Sequence, residues 1–132
     1  MSDRLTPGPR ILLVDSAQDE REMYAEWFSS LGYCTLQAAT AFDGYRLAAE
    51  LHPDAVVTDA HLSGGQDGLW LVARLREATD THDIPVVMIA APSSRDGFAG
   101  ALRAGCDSWL EKPCPPDRLA DEVKALIQSQ VR

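Results

Sequence analysis

The sequence predicts one doubly wound α/β domain, in which helices cover both faces of a five-stranded parallel β-sheet. Short apolar runs rich in β-branched residues favour strands that are buried on both faces, as they are in parallel sheets. Helical segments lie between these runs, and the connections are short. The length of 132 residues suits a single domain, and no internal repeat points to a second one.

The five strands follow from the apolar runs in chain order. They are predicted at residues 11–14, 33–38, 55–57, 85–89 and 108–110. The first strand leads directly into Asp15, and the third leads to Asp59. The fifth is followed closely by Lys112. Polar side chains therefore stand where three of the predicted strands end.

Five helices are predicted between and after the strands. The first two span 19–31 and 42–51, the third has its N-cap at Asp67, the fourth runs from Ser94 to before Gly105, and the last opens at 115–117. Gly32 is the predicted C-cap of the first helix. The predicted core face of that helix consists of residues at helical spacing: Met23, Trp27, Phe28 and Leu31. Trp27, Trp70 and Trp109 are all predicted to be packing residues.

Charge and composition narrow the classes of function. Acidic residues outnumber basic ones by 20 to 12, for a formal net charge of −8, so direct binding to nucleic acid or to a membrane is not expected. The three cysteines show no C-x-x-C pairing, which suits a reducing compartment. With no apolar signal core, the sequence predicts a cytoplasmic protein with a flexible arm at 1–9 and a domain at 10–130.

The carboxylates and the lysine are predicted to meet at one edge of the sheet. Parallel strands deliver their carboxyl ends to the same edge, where ligands bind in this fold class. Asp15, Asp59 and Lys112 would all lie there. Two carboxylates that converge with one lysine form a site suited to a hard cation and a phosphoryl group.

The ordered motifs carry a resemblance to a known family. The segments ILLVD, VVTD followed by a helix that begins at Asp-Gly, IPVVMIAA and AGCDSWLEKP together resemble the receiver domain of two-component response regulators, over residues 10–128. The Lys112-Pro113 pair is the most specific element. The resemblance implies a flavodoxin-like sheet with strand order 2-1-3-4-5. It also implies a phosphorelay signalling protein rather than an enzyme that turns over.

The resemblance assigns roles to individual residues. Asp59 would accept a phosphoryl group from a histidine kinase or phosphotransfer protein, and Lys112 would contact a phosphoryl oxygen. Mg²⁺ would be held by Asp15, Asp59 and the backbone carbonyl of His61. The peptide bond before Pro113 would be cis.

Partner surfaces are also implied by the resemblance. The kinase-side protein would dock near the first helix and the active edge. An output protein or a second copy would contact the fourth helix, fifth strand and fifth helix, roughly residues 95–130. The chain would be either a stand-alone receiver or part of a longer protein.

Two replacements at the site depart from the family pattern. Ser16 stands where a second acid is usual, so it would be a weak metal ligand and the site would lose one negative charge. Ala90 stands where Thr or Ser binds the phosphoryl oxygen, which would remove a hydrogen bond worth roughly 1.5–3 kcal/mol. Trp109, where Tyr or Phe is frequent, would then respond less to phosphorylation.

The loop after Asp59 is a third departure. Ser63 replaces a proline, and Gly64-Gly65 makes the loop one residue longer, so it is expected to be less pre-organised.

These departures leave alternatives open. The first is a phosphorylatable receiver, and the second is a phosphorylation-independent pseudo-receiver that acts as a protein interaction module. A hydrolase with an aspartate nucleophile would need a second aspartate where His61 stands. A flavin-binding protein would need a glycine-rich loop at 16–20, and that segment is acidic.

Overall fold

The computed structural model describes residues 8–92, 102 and 104–130, and these contain one five-stranded parallel sheet with helices on both faces. The strands are β1 (Arg10–Val14), β2 (Cys34–Ala38), β3 (Ala55–Asp59), β4 (Val86–Ala90) and β5 (Ser108–Glu111). Their order, β2-β1-β3-β4-β5, confirms the doubly wound topology that the sequence predicts.

Four helices lie within the described residues. They are α1 (Gln18–Ser30), α2 (Ala41–Leu51), α3 (Gly68–Glu77) and α4 (Pro116–Gln130). The predicted fourth helix at 94–104 falls outside the described residues except for Leu102 and Ala104, which are helical. Most of the predicted arm at 1–9 is outside them as well. No helix among the described residues is long and apolar enough to cross a membrane.

Alternating residues of each central strand enter two separate apolar clusters. In β1, Ile11 and Leu13 pack with α1 and α4, whereas Leu12 and Val14 pack with α2 and α3. Because both faces of the strand are buried, apolar residues occupy every position from 11 to 14. This is why the central strands are recognisable in the sequence as continuous apolar runs.

The buried face of α1 differs from the predicted one. Met23, Trp27 and Leu31 are 41, 39 and 54% exposed, and the buried residues are Tyr24, Ala25 and Phe28. Trp27 is therefore not a core packing residue, whereas Trp70 and Trp109 are partly buried against the apolar cluster under α2 and α3. The sequence of α1 offers apolar residues on two adjoining stripes, so spacing alone does not select the stripe that meets the sheet.

Two contacts position α1 on its buried stripe. The Tyr24 hydroxyl donates a hydrogen bond to the Cys114 carbonyl at 2.8 Å, and the Phe28 ring meets the Tyr33 ring edge-on at 5.4 Å between centroids. The helix ends at Ser30 with Leu31 as its C-cap, one residue before the predicted Gly32, which has a φ of 97° and donates to the Ser29 carbonyl at 3.0 Å. Gly32 therefore terminates the helix in a left-handed conformation that other residues adopt at a cost.

Arg76 connects α3 to the segments that precede β4 and β5. Its guanidinium donates to the carbonyls of Gly105 and Ile84 at 2.9 and 2.8 Å, and it pairs with the Asp107 carboxylate at 2.8 Å. The same carboxylate oxygen accepts from the Val86 N–H at 2.8 Å. The network ties α3 to the beginning of β4 and to the turn before β5, the strand that carries Lys112.

Removal of this guanidinium is expected to destabilise the fold. Arg76→Ala leaves charged and carbonyl partners without their donor, and hydrogen bonds to charged groups are worth roughly 1.5–3 kcal/mol each, so we expect a loss of about 2–3 kcal/mol in the free energy of unfolding by urea denaturation. The matched control is Arg74→Ala, because Arg74 forms an ion pair with Glu77 in which both side chains are exposed, and we expect a loss below about 1 kcal/mol. Equal losses in the two variants would contradict this account.

Candidate functional site

Three strand ends place the candidate site at the carboxyl edge of the sheet. Asp15 follows β1, Asp59 is the last residue of β3, and Lys112 follows β5. The two aspartates are buried, at 6 and 8% exposure. The Lys112 N–H donates to the Ala90 carbonyl at 2.8 Å, so the lysine backbone continues the pairing of β5 with β4. The three residues that the sequence predicts at this edge are brought to it together.

The Lys112 ammonium group lies between two carboxylates. Its Nζ is 2.6 Å from Asp59 Oδ2 and 3.3 Å from Glu20 Oε2. Burial lowers the pKa of Lys112, but the hydrogen bond and charge of Asp59, with the charge of Glu20, outweigh burial and raise that pKa above its ordinary value. Lys112 is therefore held as a cation against the carboxylates.

Asp59 has a distinct partner on each carboxylate oxygen. Oδ2 accepts from Lys112, and Oδ1 accepts from the His61 backbone N–H at 3.0 Å. The His61 residue is exposed, and the predicted role of its carbonyl toward a metal stays a prediction. Behind Asp59, a Cβ on Gly68 would lie 2.5 Å from the Asp59 carbonyl oxygen. Only glycine at this position lets α3 begin so close to the end of β3.

A third carboxylate, Glu20, completes the acidic cluster. Asp15, Glu20 and Asp59 each present an oxygen, and these oxygens lie within 4.8 Å of one another. Glu20 is a site residue that strand ends do not predict, because it stands five positions after Asp15 and is carried by a helix. The signal was present, since α1 begins three residues after Asp15 and its first turn contains Asp19 and Glu20.

Burial among acids changes the protonation of Asp15. Desolvation, followed by the hydrogen bond with Glu20 and its charge, raises the pKa of Asp15 to about 7, although the Ala17 N–H bonded to its Oδ1 at 2.9 Å acts in the opposite direction. Three acids therefore face one lysine in a site with little access to water. The chemistry of this donor set, carboxylate oxygens only, fits a hard divalent cation such as Mg²⁺.

The structure places the Ser16 hydroxyl in a bridge between loops. Ser16 Oγ donates to the Ala39 carbonyl at 3.1 Å and accepts from the Ser63 N–H at 2.8 Å. Gly64 and Gly65 follow with φ angles of 97 and 109°. The bridge tethers the glycine loop to the end of β2, a constraint that the loop sequence does not reveal.

The remaining predicted positions surround the lysine. Ala90 is 1% exposed at the end of β4, and its methyl group offers no hydrogen-bond donor. Trp109 pairs in register with Met88 and is half-buried. The Lys112–Pro113 peptide bond is cis, the isomer that the resemblance implies. The Ala90 carbonyl accepts from the Lys112 N–H, and none of these side chains adds a charge to the site.

Comparison with known proteins gives a consistent result. The family model described as "response regulator receiver domain" matches residues 11–124. Among curated proteins, the transcriptional regulatory protein PrrA of Mycobacterium tuberculosis is 38% identical over 124 residues, and the phosphate regulon transcriptional regulatory protein PhoB of Pseudomonas aeruginosa is 31% identical over 121. Each alignment covers 92% of this chain but only 51 and 52% of the relative, respectively, so the chain spans about half the length of these proteins.

Solved structures agree in fold. A putative response regulator from Chloroflexus aurantiacus superposes with a TM-score of 0.86 at 27% identity, covering 92% of this chain and 98% of that one. The receiver domain of the sensor histidine kinase PA1611 from Pseudomonas aeruginosa, solved with a magnesium ion coordinated in its active-site cleft, has a TM-score of 0.84 with the same coverages. Its identity is 24%, so this second likeness shows the fold alone.

Proposed function

The chain belongs to the response regulator receiver domain family, and from this premise we propose that Asp59 accepts a phosphoryl group in a phosphorelay. Receiver domains act in two-component signalling, as modules that pass on a signal. One observation carries the proposal: the buried Asp59 carboxylate is bonded to Lys112 at 2.6 Å beside the acids Asp15 and Glu20. That arrangement positions a carboxylate nucleophile next to a fixed positive charge.

The residues supply what phosphoryl transfer to a carboxylate requires. An Asp59 oxygen attacks phosphorus and forms a P–O bond, while the bond from phosphorus to the donor's histidine nitrogen breaks and the electron pair leaves with that nitrogen. Lys112 neutralises charge on the phosphoryl oxygens, and the His61 N–H orients the acceptor. The acceptor is modified once for each donation, so the domain takes part as a stoichiometric acceptor rather than as an enzyme.

Mg²⁺ is the cofactor that the acidic cluster supports. Asp15, Asp59 and the His61 backbone carbonyl would hold it, with the acidic cluster as the favourable electrostatic environment. When bound, the ion neutralises charge that develops on the transferring phosphoryl group. Glu20 Oε2 is buried beside Asp15 and Asp59 and shares the Lys112 ammonium group with Asp59, so the cluster holds more carboxylates than its one lysine balances.

The conformational response to phosphorylation is proposed to be weak. Ala90 has no hydroxyl with which to bind a phosphoryl oxygen and draw the following loop inward. Trp109 is half-buried against the cluster under α2 and α3, so packing there holds its indole. Phosphorylation can therefore occur with a smaller change at the β5 surface.

Helix α1 is the proposed docking surface for the protein that donates the phosphoryl group. A histidine kinase or phosphotransfer protein is the proposed phosphodonor, and the exposed apolar side chains of Met23, Trp27 and Leu31 support docking on this helix. An output protein or a second copy would use β5, α4 and the segment before them. All three cysteines are free, in keeping with the proposed cytoplasmic location. The proposed domain limits remain 10–130, after an arm at 1–9.

Phosphodonor chemistry tests the proposal without the cognate kinase. With Mg²⁺ and acetyl phosphate, the intact mass is expected to increase by one phosphoryl group, and the increase should disappear when a chelator removes Mg²⁺. Beryllofluoride should likewise bind at the site in an Mg²⁺-dependent way. No reaction under either condition would overturn the proposal and favour the phosphorylation-independent interaction module.

A further inference from the structure

We propose that Glu20 is a direct carboxylate ligand of the Mg²⁺ ion, in place of the acid that is missing at Ser16. The inference rests on the proposed function for the role of the ion, and it assigns a ligand that is carried by α1 rather than by the strand end. Glu20 then supplies the negative charge that the site lacks because serine replaces the expected acid at position 16.

The first support is the position of Glu20 over the end of β1. Its carboxylate joins those of Asp15 and Asp59, with the ligand oxygens all within 4.8 Å of one another. The first turn of α1 is held there by Arg21, whose guanidinium donates to the Asp15 carbonyl at 2.6 Å and to Gln37 Oε1 at 2.9 Å. Glu20 is thus aimed at the cluster by a helix that is fixed to β1 and β2.

The second support is a buried oxygen that shares its partner. Glu20 Oε2 has no hydrogen bond of good geometry, and it is alone in this among the buried side-chain polar atoms of the described residues. Its ion pair with Lys112, at 3.3 Å, is shared with Asp59, to which Lys112 has the shorter bond. A divalent cation at the cluster would give Glu20 a partner that does not have its closer bond to Asp59.

The third support is that Ser16 is engaged elsewhere. Its hydroxyl is used by the Ala39 carbonyl and the Ser63 N–H, so coordination by Ser16 would break the tether of the glycine loop. With Glu20 in the ligand set, Ser16 keeps that bridge. Once all three carboxylates are ionised, they and the one ammonium group leave two negative charges, which a divalent cation balances.

Mg²⁺ binding measured by calorimetry, with no phosphodonor present, tests the assignment. Glu20→Gln keeps the size of the side chain and removes its charge, and we expect the dissociation constant for Mg²⁺ to rise by at least ~10-fold. The matched control is Glu26→Gln, which removes the same charge from the exposed side of α1 and should change Mg²⁺ affinity less than about 2-fold. Circular dichroism and the thermal unfolding midpoint establish that both variants are folded.

A rescue variant separates coordination from a general effect on the fold. In Glu20→Gln protein, the further substitution Ser16→Asp returns an acid to the cluster and is expected to recover most of the lost affinity. Equal affinities for Glu20→Gln and Glu26→Gln would overturn the assignment, as would the absence of saturable Mg²⁺ binding by the wild-type protein. Phosphorylation of wild-type Asp59 is measured separately, so Glu20 can fail as a ligand while the proposed function stands.

Discussion

Asp59→Asn is expected to abolish phosphoryl uptake from acetyl phosphate. The substitution keeps the shape of the side chain and the acceptor for the Lys112 ammonium group, but an amide oxygen is not a nucleophile toward phosphorus at neutral pH. Asp59 is the carboxylate that Lys112 holds at 2.6 Å, so no neighbouring acid has the same activation. We expect the rate of phosphoryl incorporation, followed by intact mass, to fall by at least about 10³-fold.

A surface aspartate provides the control for this result. Asp80 is exposed just beyond α3, and Asp80→Asn changes the net charge by the same amount as Asp59→Asn. The Asp80→Asn protein should incorporate phosphoryl groups at the wild-type rate. Substantial labelling of Asp59→Asn protein would mean that another side chain is the acceptor, with the clustered acids Asp15 and Glu20 as the first to examine.

Lys112→Met is expected to lower the stability of the fold. The substitution leaves Asp15, Glu20 and Asp59 facing one another without the ammonium group that pairs with two of them. A hydrogen bond between charged groups contributes roughly 1.5–3 kcal/mol, and the partial exposure of Lys112 favours the lower part of that range. We expect a loss of about 2 kcal/mol in the free energy of unfolding by urea denaturation at neutral pH without Mg²⁺.

The dependence of the Lys112→Met stability deficit on pH and on Mg²⁺ identifies the lost ammonium charge as its cause. Because its partners raise the pKa of Lys112 above the ordinary 10.5, its contribution is complete below that pH and is lost as pH rises through the folded-state pKa. The deficit of Lys112→Met should therefore persist at neutral pH and narrow at strongly alkaline pH. Added Mg²⁺ should stabilise this variant more than the wild type, since the ion then neutralises the carboxylates alone.

Lys124→Met is the matched control for the second prediction. Lys124 is the other lysine in the sequence, and it is exposed on α4. Its loss should change the free energy of unfolding by less than about 0.5 kcal/mol and leave the response to Mg²⁺ as in the wild type. A Lys112→Met protein as stable as Lys124→Met would contradict the view that the lysine balances the acidic cluster.

The parts of the fold that were predictable are those fixed by burial on two faces. In β1, β3 and β4 the apolar runs 11–14, 55–57 and 86–89 alternate between two apolar clusters, so the strands and the residues at their ends could be located from the sequence. The stripe of α1 could not, because the residues around Met23 and those around Tyr24 both have helical spacing. The sheet decides between the stripes through contacts such as the bond from Tyr24 to Cys114, which lies 90 residues away.

The site was predictable only where its residues follow the ends of strands. Asp15, Asp59 and Lys112 follow strands, and strand ends converge by topology. Glu20 is placed by the clamp of Arg21 on the Asp15 carbonyl, a contact between α1 and the end of β1 that strand ends alone do not predict. The Ser16 bridge depends on a contact with Ser63, across 47 residues, that no local pattern encodes.

Direct identification of the modified residue tests whether Asp59 accepts the phosphoryl group. Wild-type protein is treated with acetyl phosphate and Mg²⁺, reduced with borohydride, which converts an aspartyl phosphate to homoserine, and mapped by peptide mass spectrometry. We expect homoserine at position 59 and unmodified aspartate at position 15. An unmodified Asp59, with the protein folded and Mg²⁺ bound, would contradict it.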